Sequence, residues 1–183
     1  MVLLESKSLS LGSPIIPFAL PDTNGKTHAD TDYTDRQVLV VIFMCNHCPY
    51  VQAVHSRLTA LQAQYDQNDV QFIGINANDW DNYPDDSPEM MKQTIQDWGI
   101  NFPYLYDETQ ETARAYQAQC TPDIYVFDAD RTLAYHGRID DNWKDPSQVT
   151  KQELKAAIDA LLEGNQPSDE QYPTIGCSIK WRE

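Results

Sequence analysis

The chain has 183 residues, 41% of them hydrophobic, with seven glycines and eleven prolines; it is neither disordered nor low-complexity, and it suits one α/β domain with its own core. Thirteen basic against 28 acidic residues leave a net charge of −15, and a surface that negative repels phosphate backbones and anionic lipid heads. Nucleic acid and membrane surfaces are therefore not expected as partners.

Residues 1–15 read as irregular, and Met1-Val2-Leu3-Leu4-Glu5 lacks the sustained apolar run of a secretory signal. Residues 17–20 and 26–28 around Asn24-Gly25 predict a hairpin of short strands. The β-branched run at 38–43 predicts a strand buried on both faces; it is too short to cross a bilayer. Val51, Val54, Leu58, Leu61 and Tyr65 recur at helical spacing, which predicts a helix over about 48–65. A second strand follows at 70–75. Ser87-Pro88 opens a helix through Trp98 that Gly99 stops. Residues 102–106 read as a strand, with Asp107 as the cap of a helix through Tyr116. Strands at 124–127 and 132–136 flank the turn Asp128-Ala129-Asp130. Thr150 and Glu153 form a capping box for a last helix, with Leu154, Ala157, Ile158, Leu161 and Leu162 inward. Residues 164–183 read as an irregular tail.

Strands that alternate with helices, then a closing hairpin, predict an α/β fold with a mixed central sheet and helices on both faces, behind the N-terminal hairpin. The domain is placed at 1–163. The tail at 164–183 carries Ile179 and Trp181 and is expected to dock on it.

Cys45-Asn46-His47-Cys48 falls where the buried strand ends and the first helix begins. Only a thiolate attacks a disulfide, and a free cysteine near pKa 8.5 is mostly protonated at neutral pH. A helix N-terminus offers unpaired amides and about half a positive charge, which favours a thiolate at Cys45. His47, when protonated, adds a cation. Two intervening residues let Cys48 close a disulfide with Cys45. The same spacing also suits half of a zinc site, but Cys120 and Cys177 stand alone and supply no second pair. Without an export signal the chain is expected to be cytoplasmic, where standing disulfides are rare and cysteines serve redox or metal chemistry.

Residues 38–50, 102–116 and 121–128, with Leu133-Ala134-Tyr135-His136-Gly137-Arg138, together resemble redoxins of the AhpC/TSA superfamily. Within it the chain is similar to the TlpA/ResA-like branch, and most similar to members with C-N-H-C-P-Y-V and a terminal G-C-S-I-K-W. The resemblance implies a three-layer thioredoxin-like sandwich, thiol chemistry without a cofactor, and Thr121-Pro122 as the cis-proline pair that faces the dithiol and receives a peptide. The peroxiredoxin pattern P-x-x-x-T-x-x-C is absent, since Ile42 stands three residues before Cys45. Leu39 occupies the place of the buried acid that many thioredoxins carry, and Met44 that of their tryptophan.

The expected function is a thiol–disulfide oxidoreductase with nucleophile Cys45, resolver Cys48 and tuner His47, acting on protein or low-molecular-weight thiols and disulfides. Two rival readings are a Sco-like copper or metal-binding module and an antioxidant thiol peroxidase. Cys120 and Cys177 are candidate accessory thiols. His28, His55 and His136 read as surface or turn residues, Asp140 and Asp141 as a solvated loop, and Trp80, Trp98 and Trp143 as core or surface cover.

Overall fold

In the computed structural model, which describes residues 3–5 and 9–183, ten strands and four α-helices follow one another along the chain. They are β1 (Leu3–Glu5), β2 (Ala19–Pro21), β3 (Thr27–Ala29), β4 (Val38–Phe43), α1 (Pro49–Gln62), β5 (Val70–Asn76), α2 (Pro88–Trp98), β6 (Tyr104–Tyr106), α3 (Glu111–Ala115), β7 (Cys120–Thr121), β8 (Asp123–Phe127), β9 (Leu133–His136), α4 (Glu153–Leu162) and β10 (Ile175–Ser178).

The apolar run of β4 takes the middle of a five-stranded sheet ordered β6-β5-β4-β8-β9. It runs parallel to β5, which runs parallel to β6, while β8 and β9 are antiparallel, so the sheet is mixed. Alternate side chains of a strand point to opposite faces. Val38, Val40 and Ile42 enter a core closed by α1, α2 and α4. Leu39, Val41 and Phe43 enter a second core closed by α3, the hairpin and the tail residue Ile179. This is the three-layer, thioredoxin-like arrangement.

The β2–β3 hairpin turns on Asp22, whose Oδ1 accepts from the amides of Asn24 and Lys26, and on Gly25 at φ +83°. Helix α1 ends at Gln62, short of Tyr65. The Gln62 amide turns inward to donate to the Val70 carbonyl and accept from the Phe72 amide. Asp107 does not cap α3. Gln110, left-handed at φ +63°, starts that helix, and Asp107 reaches the Ala113 amide from outside it. The capping box at α4 is absent as well: Thr150 bonds to Asp141, Glu153 takes Arg138, and Gln152 is the N-cap. His28 and His136 are buried, not on the surface. His28 bonds Tyr33 and Asp22, and His136 bonds Asp123 and stacks on Tyr125.

The tail is not irregular throughout. β10 forms the middle of a separate sheet, β1-β10-β7, antiparallel to both neighbours, with Cys177 opposite Thr121 and Leu3 opposite Cys177 on the other side. The residues at either end of the chain, expected to be irregular, thus hold strands that form by pairing across almost the whole sequence. Gly176 makes the pairing with β7 possible, because an added Cβ would collide with the Thr121 carbonyl. Beyond β10 the Ile179 amide donates to Gln119 O at 3.0 Å, and the Lys180 amide donates to Asn78 Oδ1 at 2.8 Å. Arg114 lies over the Trp181 ring. Gly176→Ala is expected to cost about 1–3 kcal/mol through overpacking. Urea unfolding should show the loss, and amide exchange should show weaker protection at 175–179.

Candidate active site

β4 delivers Cys45 and Asn46 to the end of the sheet, and α1 begins directly after them. Cys48 is the N-cap of α1, and Pro49, with no amide hydrogen to leave unpaired, takes the first helical position. Asn46 is fixed from several sides. Its amide donates to Asp86 Oδ1 at 2.7 Å, its Nδ2 to Asp85 O at 2.8 Å, and its Oδ1 accepts from Tyr104 OH at 3.0 Å. His47 Nδ1 donates to Asp86 Oδ2 at 2.5 Å, and its ring stacks on Tyr83.

Opposite the cysteines stands Thr121, joined to Pro122 by a cis peptide bond. Cys45 Sγ is 3.3 Å from Thr121 Oγ1, and Cys48 Sγ is 3.1 Å from the Thr121 carbonyl oxygen. β7 and β10 bring Cys177 beside Cys48, within hydrogen-bonding reach of its sulfur. Cys45, Cys48 and Cys177 share one core cluster. Cys120 points elsewhere, with its Sγ 3.8 Å from Pro122 O. Burial, then the neighbouring Asp123 and the charges of Cys48 and Cys177, raises its pKa.

The dithiol is covered. Cys45 is 1% exposed and Cys48 is 0% exposed, so both are buried. None of the four cysteines is in a disulfide in this structure. A cavity of about 160 Å³ lies beside Pro122, lined among others by Tyr50, Arg138, Asp140, Trp143 and Ile175. Of these, Trp143 and Tyr50 pack with ring centroids 4.2 Å apart and planes tilted by 43°. Asp140 is buried, not part of a solvated loop, because its carboxylate pairs directly with Arg57 of α1.

The two cysteines share one ionisation. The hydrogen bond from Cys45, with further ones from Cys177, Thr121 and the Val51 amide, outweighs burial and holds Cys48 down at about 5. Burial first, then the hydrogen bond to Cys48 and the Asp86 carboxylate, pushes Cys45 well above an ordinary thiol. Of the pair, Cys48 is thus held the more acidic and Cys45 the less.

Asp86 is the residue that the sequence did not single out. It is fully buried, and Leu39, at the place where an acid was looked for, lies in the second core. Burial alone would raise the Asp86 carboxyl. Hydrogen bonds from His47, Asn78 and Asn46 outweigh it and hold the pKa below the usual value. Its one signal is a position just ahead of the Ser87 cap, which in a chain with 28 acidic residues does not separate a buried acid from a solvated one. Among the described residues, Cys45, His47 and Asp86 place potential metal-binding atoms within 4.8 Å of one another. The carboxylate, however, already accepts from the Asn46, His47 and Asn78 donors. Hydrogen bonds, not a cation, satisfy it.

Residues 11–136 match the model of the AhpC/TSA family. The chain belongs to that family. It is similar to an uncharacterized conserved protein from Geobacillus kaustophilus, with 45% identity over 100% of this chain and 97% of that one and a TM-score of 0.93. A hypothetical protein from Sinorhizobium meliloti has 36% identity over 97% of this chain and 98% of its own, also with a TM-score of 0.93. The thioredoxin domain of a thiol-disulfide oxidoreductase from Bacteroides vulgatus shares the fold at 15% identity, over 70% of this chain and 89% of that one, with a TM-score of 0.61. No curated protein matches the chain. Family and fold together make this AhpC/TSA protein a thioredoxin-like redoxin with a mixed central sheet.

The hydrogen bond to Asp86 raises the His47 pKa. Its stabilisation is complete below about pH 6.5, the unfolded value, and is lost as pH rises through the raised folded value. The lowered Asp86 pKa contributes above about pH 3.9 and is lost as pH falls through its folded value. His47→Gln should therefore cost most between about pH 4 and 6.5, by about 1.5–3 kcal/mol for a charged hydrogen bond, and progressively less toward pH 9. Urea unfolding of both proteins across that range measures the difference.

Proposed function

We propose that this protein is a thiol–disulfide oxidoreductase whose couple is Cys45 and Cys48, acting in the cytoplasm on protein or low-molecular-weight disulfides without a cofactor. The observation that carries the reading is the pair of thiols at the start of α1, one of them held as a thiolate, with both facing Thr121 at hydrogen-bond distance. Exchange proceeds through a thiolate, and a pair that shares an acidic sulfur can supply one.

Cys45, the first cysteine of the pair, is the sulfur that meets the external disulfide. Cys45 attacks after its proton passes to Cys48 along the hydrogen bond that joins them. A mixed disulfide forms on Cys45 and one substrate thiolate leaves. Cys48, ionised again, attacks Cys45 and releases the second thiol, which closes Cys45–Cys48. His47 and Asp86 hold the loop between the cysteines, and Thr121 lines the side from which the substrate comes. Because the pair is covered, exchange requires the cover to open; β10 and the residues after it are held by edge pairing and loop contacts and form its movable part.

The Sco-like reading loses support where Asp86 is saturated by N–H donors. The peroxidase reading lacks the threonine that would orient a peroxide oxygen, with Ile42 in that place.

Equilibration in glutathione buffers, followed by alkylation and peptide mass spectrometry, tests the proposal. The intact chain should form and lose a Cys45–Cys48 disulfide reversibly, and Cys48→Ser should stop at a mixed disulfide on Cys45. A chain that never forms this link, purifies with stoichiometric copper or zinc, or turns over hydrogen peroxide rapidly would overturn the assignment.

A further inference from the structure

A third sulfur lies against the couple. β10 sets Cys177 opposite Thr121, the residue whose carbonyl also faces Cys48. Gly176, one residue earlier, has no side chain, and only that lets the strand come so close to Thr121. The Cys177 thiol hydrogen-bonds Cys48, and both are buried in one cluster with Cys45. β10 also runs beside α1, whose N-cap is Cys48. Packing alone would be served by any small apolar residue; a thiol aimed at a thiolate is a specific chemical pairing.

We infer that Cys177 is a third redox cysteine of this site, and that it exchanges with Cys45 for a disulfide to Cys48. The inference rests on the function proposed above. In the step, the Cys177 thiolate attacks the Cys48 sulfur of the Cys45–Cys48 disulfide. The Cys48–Cys177 bond forms, the Cys45–Cys48 bond breaks, and the proton that leaves Cys177 ends on Cys45. One disulfide replaces another, so no outside oxidant or reductant is needed.

The electrostatics change in the right order for this step. In the reduced protein, burial first, then the hydrogen bond to Cys48 and repulsion by its charge, push Cys177 up to about 12, while Lys180 and the Tyr50 amide pull down. Once Cys48 is in a disulfide it carries no charge. Two of the causes that keep Cys177 protonated then vanish, and the pull of Lys180 and the amide remains. The third thiol thus becomes a better nucleophile after the couple has been oxidised. Closing Cys48–Cys177 would also tie the tail covalently to the head of α1 and return Cys45 to the thiol state.

The test uses the full chain with Cys45→Ser, and Cys45→Ala as a second variant should serine disturb the buried site. Each is treated with oxidised glutathione, quenched in acid, digested and mapped. The expected result is a Cys48–Cys177 disulfide with no retained glutathione. Cys45→Ser combined with Cys177→Ser should instead stop at glutathione on Cys48. A persistent Cys48–glutathione adduct in the single variants, or a link from Cys48 to Cys120, overturns the inference. The intact chain under the same treatment separates the two readings. If it yields Cys45–Cys48 while the single variants stop at the adduct, the third cysteine fails alone. If it yields no internal disulfide, the couple itself fails.

Discussion

The backbone of Thr121 is the meeting point on which this site depends. Its hydroxyl lies against Cys45, its carbonyl against Cys48, and its edge is paired with Cys177 of β10. Three segments far apart in sequence are joined through one residue: the start of α1, the turn before β8 and the tail. The same contacts that position the sulfurs also bury them. A free β7 edge would leave unpaired backbone groups beside the dithiol; β10 satisfies them and shields the thiols in the same move.

Burial sets the electrostatics. A lone thiolate far from water is costly, and here it is tolerated at Cys48 because thiol and amide donors converge on it. One proton held between Cys45 and Cys48 avoids two adjacent negative charges. The second buried charge, on Asp86, is treated alike: it draws on Asn46, His47 and Asn78, and so ties the loop between the cysteines to the segment before α2. Truncating one partner of such a network leaves a buried group unsatisfied, which costs more than the net worth of the bond that was removed.

The framework of the fold was legible because its signals are local. The run at 38–43 could be read as a central strand from its side chains alone, and α1 from the spacing of Val51, Val54, Leu58 and Leu61. Ser87-Pro88 and Gly99 mark the ends of α2 by capping chemistry, and the structure keeps both, with Ser87 accepting from Met90 and Gly99 at φ +62°. Where local signals competed with tertiary partners they lost. Thr150 and Glu153 have the spacing of a capping box, yet Asp141 and Arg138 take them. Asp107 has the chemistry of a cap, yet Gln110 holds the left-handed turn at which α3 begins.

By itself the sequence determined the layered α/β framework and the two cysteines at a strand-to-helix junction, since each depends on residues within one or two turns of chain; the Thr121-Pro122 pair came with the family resemblance. Only the tertiary structure decided which sulfur is the more acidic, that Asp86 and not an acid on β4 lies beside the cysteines, and that Cys177 reaches Cys48. Those outcomes come from pairing between residues dozens of positions apart and from donors that converge in a dry interior. A four-residue strand holding Ile175, Gly176, Cys177 and Ser178 has no periodicity of its own to announce it; it exists because an exposed edge at β7 is there to be paired.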